Sequence, residues 1–281
     1  MQGPALVNAL RVEPELGTPS RGGLPATLAR RDGDHWLLSG RKIYSTGGAG
    51  LSRMLVYART DEESPRVGSF IVRPEQDGVV VQETWDHLGL RASRSDDVHL
   101  EDVVVSLGDV VGLNEPGGPR PGLDAVFGAW NALGLTSLYL GVADAATTWL
   151  AGFLHDRTPT SLGASLATLP RFQAAIGEIE SSLRVAHRVV ECAADGVDAG
   201  DATALADAGP AKLNGNRAAI NAVEQALALT GNHGLSRANP LERHYRDVLC
   251  SRVHVPQDDQ IVTAAGRSAL DRHPHAPFQK G

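Results

Sequence analysis

Two side chains near the end of a β-rich run, Tyr44 and Thr46, are suited to binding a flat, polar ring. In an extended strand, residues two apart project from the same face of the sheet. An aromatic ring and a hydroxyl on one face can stack against such a ring and hydrogen-bond its nitrogen atoms. Ordinary alternation in a half-buried strand produces the same pattern, so the pair alone leaves a purely structural role open.

Three titratable side chains could transfer protons. His254 stands seven residues after Asp247, and an imidazole titrates near neutral pH, as a general acid or base requires. Asp124, at the start of a long apolar segment, and Asp258 are carboxylates that could serve instead. A histidine that caps the core or faces solvent is the plain alternative for His254, because the chain has ten histidines.

Several residues at turns could meet phosphate groups. Thr18 stands in a glycine-containing turn and offers a hydroxyl and an N–H. Arg157 and Thr158 end the first long helical segment, where the helix dipole alone also favours a cation. Gly231 and Gly234 bracket a helix stop and let a backbone approach a ligand closely, although a helix C-cap explains them equally well.

The composition indicates a globular protein in a reducing compartment. The chain has 281 residues and a formal charge of −7, which argues against sequence-independent nucleic-acid binding. No run of about 18 apolar residues is evident, so no membrane span is expected. Cys192 and Cys250 are too few for a disulfide framework and lack metal-site spacing. We therefore predict a cytoplasmic protein without a metal site.

The chain changes from β-rich to helical across a stretch dense in Gly and Pro. Before it, short apolar runs separated by Gly, Pro and Asp predict a small antiparallel β barrel or sandwich over residues 1–112. After it, apolar residues spaced by three and four predict an antiparallel helical bundle over residues 113–272, followed by a tail at 273–281. One helix is expected to begin at Pro210 and to end at Gly231. The predicted fold class is therefore α+β.

Four segments, in chain order, resemble acyl-CoA dehydrogenases and their relatives. They are Glu13-Pro-Glu-Leu-Gly-Thr18, Gly40-Arg-Lys-Ile-Tyr-Ser-Thr-Gly47, Leu88-Gly-Leu-Arg-Ala-Ser-Arg-Ser95 with Val98-His-Leu-Glu-Asp-Val103, and Gly231-Asn-His-Gly234 with Pro240-Leu-Glu-Arg-His-Tyr-Arg-Asp247. Each segment alone is a weak signal. Four in order, with the change from β-rich to helical sequence between them, identify the chain as a member of that superfamily.

The resemblance implies a flavin cofactor, FAD or alternatively FMN. Thr18 would then lie at the flavin pyrophosphate. The strand that carries Tyr44, Ser45 and Thr46 would lie against the flavin ring, with Tyr44 packed beside it and Thr46 bonded near its reactive nitrogen. The alternatives are a surface turn for Thr18 and an ordinary strand for Tyr44 and Thr46. They are less favoured because the neighbouring motifs also match.

The resemblance also implies assembly into a homodimer or homotetramer. Arg157 with Thr158, and the turn between Gly231 and Gly234, would contact the flavin of a neighbouring subunit. Family members follow the arginine with a Phe-Gly turn, and this chain departs from that pattern at residues 159–163. The alternative role for Arg157 is that of a cation at the helix C-terminus.

Ordinary acyl-CoA dehydrogenation needs a carboxylate base, and the matching positions lack one. The glutamate of the commonest subgroup would fall on Val255, and the second subgroup's position falls in residues 129–134, which contain no acid. Asp124 or Asp258 could serve if the register slips by a turn. His254 instead resembles a histidine of the superfamily's flavin monooxygenases, which receive reduced flavin from a reductase. In those enzymes the imidazole can assist oxygen chemistry or deprotonate a substrate.

The sequence therefore leaves three functions open. A flavin monooxygenase is slightly favoured over an acyl-CoA dehydrogenase with a relocated base, and its substrate would be an acyl thioester or another apolar compound. A non-catalytic, truncated scaffold that oligomerises through its bundle is the alternative from another class. Family chains also carry an N-terminal helical domain before the Glu13 turn, and this chain begins just upstream of that turn.

Overall fold

The structure is a computed structural model that describes residues 5–15, 24–116 and 123–273. It has two compact units. One comprises Met1–His87 with Arg91–Pro119, and the other comprises Leu88–Leu90 with Arg120–Gly281.

In the described residues, the first unit is built on one sheet of eight strands. They are β1 (Val7–Leu10), β2 (Leu28–Asp32), β3 (His35–Ser45), β4 (Arg53–Thr60), β5 (Val67–Val72), β6 (Val79–Gln82), β7 (Asp96–Ser106) and β8 (Val110–Asn114). The strand order is β6-β7-β3-β2-β4-β5-β8, and β1 also pairs with β4. The predicted boundary at residue 112 falls inside β8, because this strand continues for two residues beyond it.

The sheet is mixed, so the expectation of a purely antiparallel domain was wrong. Strands β1 and β2 both run parallel to β4, whereas the remaining pairs are antiparallel. A parallel pair needs a connection of a dozen or more residues. Strand β3 and its flanking turns supply that length between β2 and β4. Turn residues in the sequence indicate hairpins, but they do not indicate a longer connection that brings a later strand back in parallel. This explains the error.

Regular alternation makes one face of the sheet apolar. Along β4 every second residue is buried, and the buried set includes Met54, Val56 and Ala58. Trp36 of β3 meets Phe70 of β5 edge to face, with ring centroids 5.9 Å apart. Fourteen buried apolar side chains form this core. The strands are therefore held by burial of one face, as their period of two requires.

The second unit is helical. Its helices are α1 (Leu123–Asp156), α2 (Pro170–Asp198), α3 (Ala202–Thr230), α4 (Asn232–Leu235), α5 (Leu241–Leu249) and α6 (Asp258–Asp271). The apolar stripe of α2, which includes Phe172, Ile179 and Leu183, packs into one core with residues of α1, α3 and α5. This packing explains the spacing of three and four in the sequence.

Helix α3 begins eight residues before the predicted start at Pro210. The Asp201 side chain accepts a hydrogen bond from the Thr203 amide at 2.8 Å and caps the helix there. The alanine-rich first turns favour a helix, and tertiary packing tolerates the proline inside it. The predicted end at Gly231 is confirmed, since this residue is the C-cap with φ 55°.

Within the described part of the chain, Ala125–Asp156 is long and apolar enough to cross a membrane, judged by length and composition. This criterion uses mean hydropathy and tolerates scattered polar residues, so it differs from the uninterrupted apolar run that the sequence lacks. Core helices also meet this criterion. Here Tyr139, Leu140 and Ala143 lie on the side of α1 that is buried in the helical core.

Candidate functional site

Strand β3 ends in a distorted turn at the predicted ring-binding residues. Tyr44 has a left-handed backbone with φ 57° and a side chain that is 53% exposed. The strand stops at Ser45, and its pairing with β7 is irregular between Lys42 and Ser45. Thr46 therefore lies beyond the strand. The argument from strict alternation was wrong, although Tyr44 and Thr46 are both exposed.

The Thr46 hydroxyl belongs to a chain of serine and threonine hydroxyls. It lies 2.8 Å from the Ser95 Oγ, which lies 2.8 Å from the Ser93 Oγ. The Asn8 side chain donates to the Thr46 carbonyl at 3.0 Å, and the Gly47 amide donates to the Ser93 carbonyl at 2.9 Å. These bonds fix the turn, so Thr46 is presented from a rigid backbone.

Ser45 lies on the inner side of the same turn. Its side chain is buried, and its Oγ has no hydrogen-bond partner among the described residues. A direct contact between Ser45 and a cofactor stays a prediction.

Two aromatic side chains that the sequence analysis did not single out stand beside Tyr44. The rings of Trp85 and His87 stack with centroids 3.7 Å apart. Tyr44 meets both rings edge to face, at 6.2 Å and 5.9 Å. The only sequence signal was an aromatic residue and a histidine just before the Leu88 motif. The result is a partly exposed aromatic surface next to the Thr46 hydroxyl, which suits a planar ligand.

A buried ion pair between Glu13 and Lys42 supports this region and was not predicted. The Lys42 Nζ lies 2.6 Å from the Glu13 Oε1, and the two side chains are 0% and 2% exposed. The carboxylate also accepts hydrogen bonds from the Ala26 and Thr27 amides and from the Thr27 hydroxyl. Glu13 thus joins the two ends of the segment that contains Thr18. Thr18 itself lies outside the described residues.

The environment of the pair shifts both pKa values. Burial raises the pKa of Glu13, but hydrogen bonds from Lys42 and Thr27 lower it more, so the net shift is downward. Burial lowers the pKa of Lys42 despite the opposing effect of Glu13. The carboxylate is therefore held ionised by its partners.

The helical unit brings Arg157 and the Gly231 turn to the same end. Arg157 follows α1 and lines a cavity of about 380 Å³ with Trp149, Phe153 and Asn239. Phe153 contacts the ring of His233, which lies between Gly231 and Gly234, at 5.2 Å. Arg157 and the adjacent Thr158 are exposed. The two motifs thus lie close together in the helical unit, and their contact with a neighbouring subunit's flavin stays a prediction.

The two glycines of this turn differ in their surroundings. Gly231 has φ 55°, and a side chain added there would meet open space. At Gly234 an added Cβ would lie 2.3 Å from the Thr230 hydroxyl oxygen, so close packing alone requires glycine. Close approach to a ligand therefore remains a prediction for Gly231, and packing explains Gly234.

Helix α5 holds the Leu88–Leu90 segment. Arg246 pairs with Glu242 at 2.8 Å and donates to the Leu88 carbonyl at 2.6 Å. The Leu90 amide donates to the Asp247 carboxylate at 2.7 Å. Close packing of Gly89 on the Arg246 carbonyl leaves no room for a Cβ. These charges brace the structure.

His254 lies in the loop at residues 253–257, between α5 and α6, which we call the His254 loop. Its Nε2 atom is buried without a hydrogen-bond partner among the described residues, and its ring lies 5.7 Å from that of Tyr139. Burial and the nearby Lys212 charge lower the pKa of His254. The imidazole is therefore neutral near pH 7 and has a ring nitrogen available.

The two alternative carboxylates are placed differently. Asp124 belongs to α1 by its backbone, and its side chain lies outside what the structure describes. Asp258 begins α6 and lies 3.4 Å from the Arg217 guanidinium, where both side chains are exposed. Asp258 is thus engaged in a surface ion pair.

Comparisons with known proteins agree with this arrangement. Residues 12–103 match the family model for the acyl-CoA dehydrogenase middle domain, and residues 133–258 match that for the C-terminal domain. By structure, the chain resembles a butyryl-CoA dehydrogenase from Megasphaera elsdenii, with a TM-score of 0.81 and 22% identity, over 95% of this chain and 68% of that one. It also resembles a KijD3 solved with FMN and a dTDP-linked sugar, with a TM-score of 0.78 and 26% identity, over 90% and 64%.

Sequence relatives show the family. The putative acyl-CoA dehydrogenase YdbM of Bacillus subtilis is 31% identical over 276 residues, which cover 96% of this chain and 70% of the relative. The 3-(aryl)acrylate reductase of Clostridium sporogenes is 30% identical over 83% of this chain and 61% of its own length. The chain belongs to the acyl-CoA dehydrogenase superfamily of flavoproteins. It spans about two thirds of the length of these relatives.

Proposed function

We propose that the protein is a flavin-dependent oxidoreductase of the monooxygenase type. The observation that carries this proposal is the buried, unpartnered Nε2 of His254, which stands beside the position where an acyl-CoA dehydrogenase has its base. That position is Val255, which cannot accept a proton. A neutral imidazole in a partly apolar site can accept or donate a proton near neutral pH.

The surroundings of the His254 loop favour an apolar substrate. A cavity of about 800 Å³ borders Pro256 between α1, α3 and α6. The α1 side of this cavity consists of small apolar residues, namely Ala125, Gly128, Ala129 and Ala132. A nucleotide phosphate needs cations or amide groups, and only Arg272 supplies a cation among the described lining residues. These features support a compound without a CoA portion.

The exposed groups at the end of β3 fit a flavin ring. Tyr44 and the Trp85–His87 stack provide aromatic surface, and the Thr46 hydroxyl provides a hydrogen bond from a rigid turn. A bound flavin would supply electron transfer and reaction with oxygen. The chain's own residues would position the ring, exclude water with their aromatic faces, and hold or move a proton at the His254 Nε2.

Acyl-CoA dehydrogenation is the second candidate, favoured by the name of the relative from B. subtilis. It requires a carboxylate base, for which the sequence offers Asp124 or Asp258. A non-catalytic scaffold is the third candidate. FAD remains the preferred cofactor, and FMN is the alternative, since the similar KijD3 was solved with FMN.

One pair of measurements on the purified protein separates these functions. Anaerobic mixing of the flavin-loaded protein with acyl-CoA thioesters should leave the flavin oxidised. Addition of reduced flavin and oxygen should give an oxygenated product from an apolar substrate. Flavin reduction by an acyl-CoA in the first measurement would contradict the proposal. Failure to retain flavin at all would favour the scaffold.

We further propose a cytoplasmic homodimer or homotetramer that receives reduced flavin from a separate reductase. The convergence of Arg157 and the Gly231 turn at one end of the helical unit supports an assembly in which this end meets a neighbour's cofactor. Light scattering at micromolar concentration tests the assembly, and a stable monomer would contradict it.

Thr46→Val should weaken flavin binding or shift the flavin's redox behaviour while the fold is retained. The change keeps the size and β-branching and removes the hydroxyl, which loses both the Ser95 contact and a flavin hydrogen bond worth about 0.5–1.5 kcal/mol. Flavin affinity would accordingly fall by roughly tenfold at most. Fluorescence titration with flavin measures this.

The matched control is Thr168→Val, which removes an exposed hydroxyl that bonds only within its own turn. This control should leave flavin binding unchanged. Identical affinity, spectrum and reactivity in the Thr46 variant would show that Thr46 does not contact the ring.

A further inference from the structure

Lys212 is a lysine in the middle of α3 whose side chain is fully buried. Its ammonium group donates to the His254 carbonyl at 3.1 Å and to the Pro256 carbonyl at 2.8 Å. No carboxylate lies within ion-pair distance of it among the residues that the structure describes. Burying an ammonium group costs several kcal/mol unless it is well compensated. A lysine that only fills space would therefore be a poor choice at this position.

The carbonyl groups of the His254 loop are fixed from two helices. Lys212 of α3 holds the first and third of three consecutive carbonyls, those of His254 and Pro256. Asn131 of α1 donates to the middle one, that of Val255, at 3.2 Å. A loop whose successive carbonyls are bonded by side chains from different helices has little freedom to move.

We propose that Lys212 is the positioning residue for His254. Its two hydrogen bonds fix the backbone on both sides of Val255 and thereby set where the imidazole lies against Tyr139. This inference rests on the proposed function only where activity is concerned. The placement itself is a property of the helical unit.

The Lys212 charge has a second effect on the imidazole. It lies close enough to add to burial in lowering the pKa of His254. Tyr139 of α1 contacts the imidazole and Lys212 of α3 acts on it, while Asp247 of α5 acts on Tyr139 and Asp258 of α6 acts on Lys212. Among them Lys212 is the cation that contributes to this shift. An uncharged side chain at this position could hold the loop, but it would not lower the pKa of His254.

The test compares Lys212→Met with wild type by NMR of protein labelled with ¹⁵N-histidine. The wild-type His254 is expected to titrate below the ordinary histidine pKa. Lys212→Met should raise its pKa, weaken the Tyr139–His254 contact, and lower kcat by roughly tenfold to a hundredfold, as misplacement of a catalytic group does. KM should change less, since Lys212 does not line the apolar cavity.

Two further variants separate charge from anchoring. Arg217→Met removes a cation from the same helix, at an exposed ion pair, and should leave the His254 titration unchanged. Asn131→Leu removes the middle carbonyl anchor while the Lys212 charge stays, so it should weaken the Tyr139–His254 contact and raise the pKa of His254 less than Lys212→Met does. This variant keeps the anchoring part testable if Lys212→Met does not fold.

The outcomes are distinguishable from those of the proposed function. An unchanged His254 pKa and an unchanged Tyr139 contact in Lys212→Met, with only a lower Tm, would overturn the positioning role. If Lys212→Met shifts the His254 titration while His254→Ala leaves oxygenation intact, the positioning stands and the proposed chemistry fails.

Discussion

His254→Ala is expected to leave flavin binding intact and to abolish most substrate oxygenation, with hydrogen peroxide released instead. General acid–base groups contribute about 10²–10⁴-fold to the rates they assist. The imidazole is the titratable side chain of the His254 loop, and its Nε2 has no partner among the described residues. The test measures the amounts of oxygenated product and of hydrogen peroxide formed per reduced flavin consumed.

The pH dependence should follow from the lowered pKa of His254. Burial and the Lys212 charge shift it below the ordinary value of 6.5, so the neutral form predominates above that shifted value. If the neutral imidazole is the active form, the rate should fall only as the pH drops below 6.5. Because the unfolded chain binds the proton more readily, the same group also lowers folding stability as the pH falls through this window.

Asp258→Asn is the matched comparison for the dehydrogenase hypothesis. It breaks an exposed ion pair with Arg217, which is worth at most about 1 kcal/mol. Under the monooxygenase proposal, it should behave like wild type in oxygenation. If instead Asp258→Asn or Asp124→Asn abolishes flavin reduction by an acyl thioester and His254→Ala does not, the chemistry is dehydrogenation.

A β-rich unit followed by a helical unit could be predicted from the sequence, because hydrophobic periodicity and the order of motifs can be read from short stretches of the chain. The stripe on α2 depends on residues three or four positions apart, and the stop at Gly231 depends on a single glycine. Such spacings act through a single helix. They could therefore be predicted without knowing what the helix packs against.

The residues that hold the site in place could not be predicted in this way. Lys212 stands in a helix where a lysine usually faces solvent, and Lys42 stands in a strand of ordinary alternation. Their burial depends on partners 42 and 29 residues away, His254 and Glu13. The left-handed backbone of Tyr44 is equally hidden, since a non-glycine residue with positive φ is stabilised only by its surroundings.

Breaking the Glu13–Lys42 pair is expected to have the largest effect on folding stability. Glu13→Gln or Lys42→Met leaves one partner buried without its counter-charge, and such changes cost about 3–5 kcal/mol. The control is Glu62→Gln, which breaks a half-exposed pair with Arg66 of the same N–O distance, 2.6 Å, and should cost about 1 kcal/mol. Urea unfolding of each variant gives the free energies.

The double variant with Glu13→Gln and Lys42→Met should be less destabilised than the sum of the two single variants, because neither charge is then left buried alone. Acid unfolding provides an independent check. The pKa of Glu13 is lowered in the folded protein, so its stabilisation is present above the unfolded value of 4.5 and is lost as the pH falls through the folded pKa. Glu13→Gln should therefore make the free energy of unfolding depend less on pH in that range. If the two single changes in the free energy of unfolding simply add, and the acid unfolding curve is unaltered, the Glu13–Lys42 pair contributes no specific stabilisation.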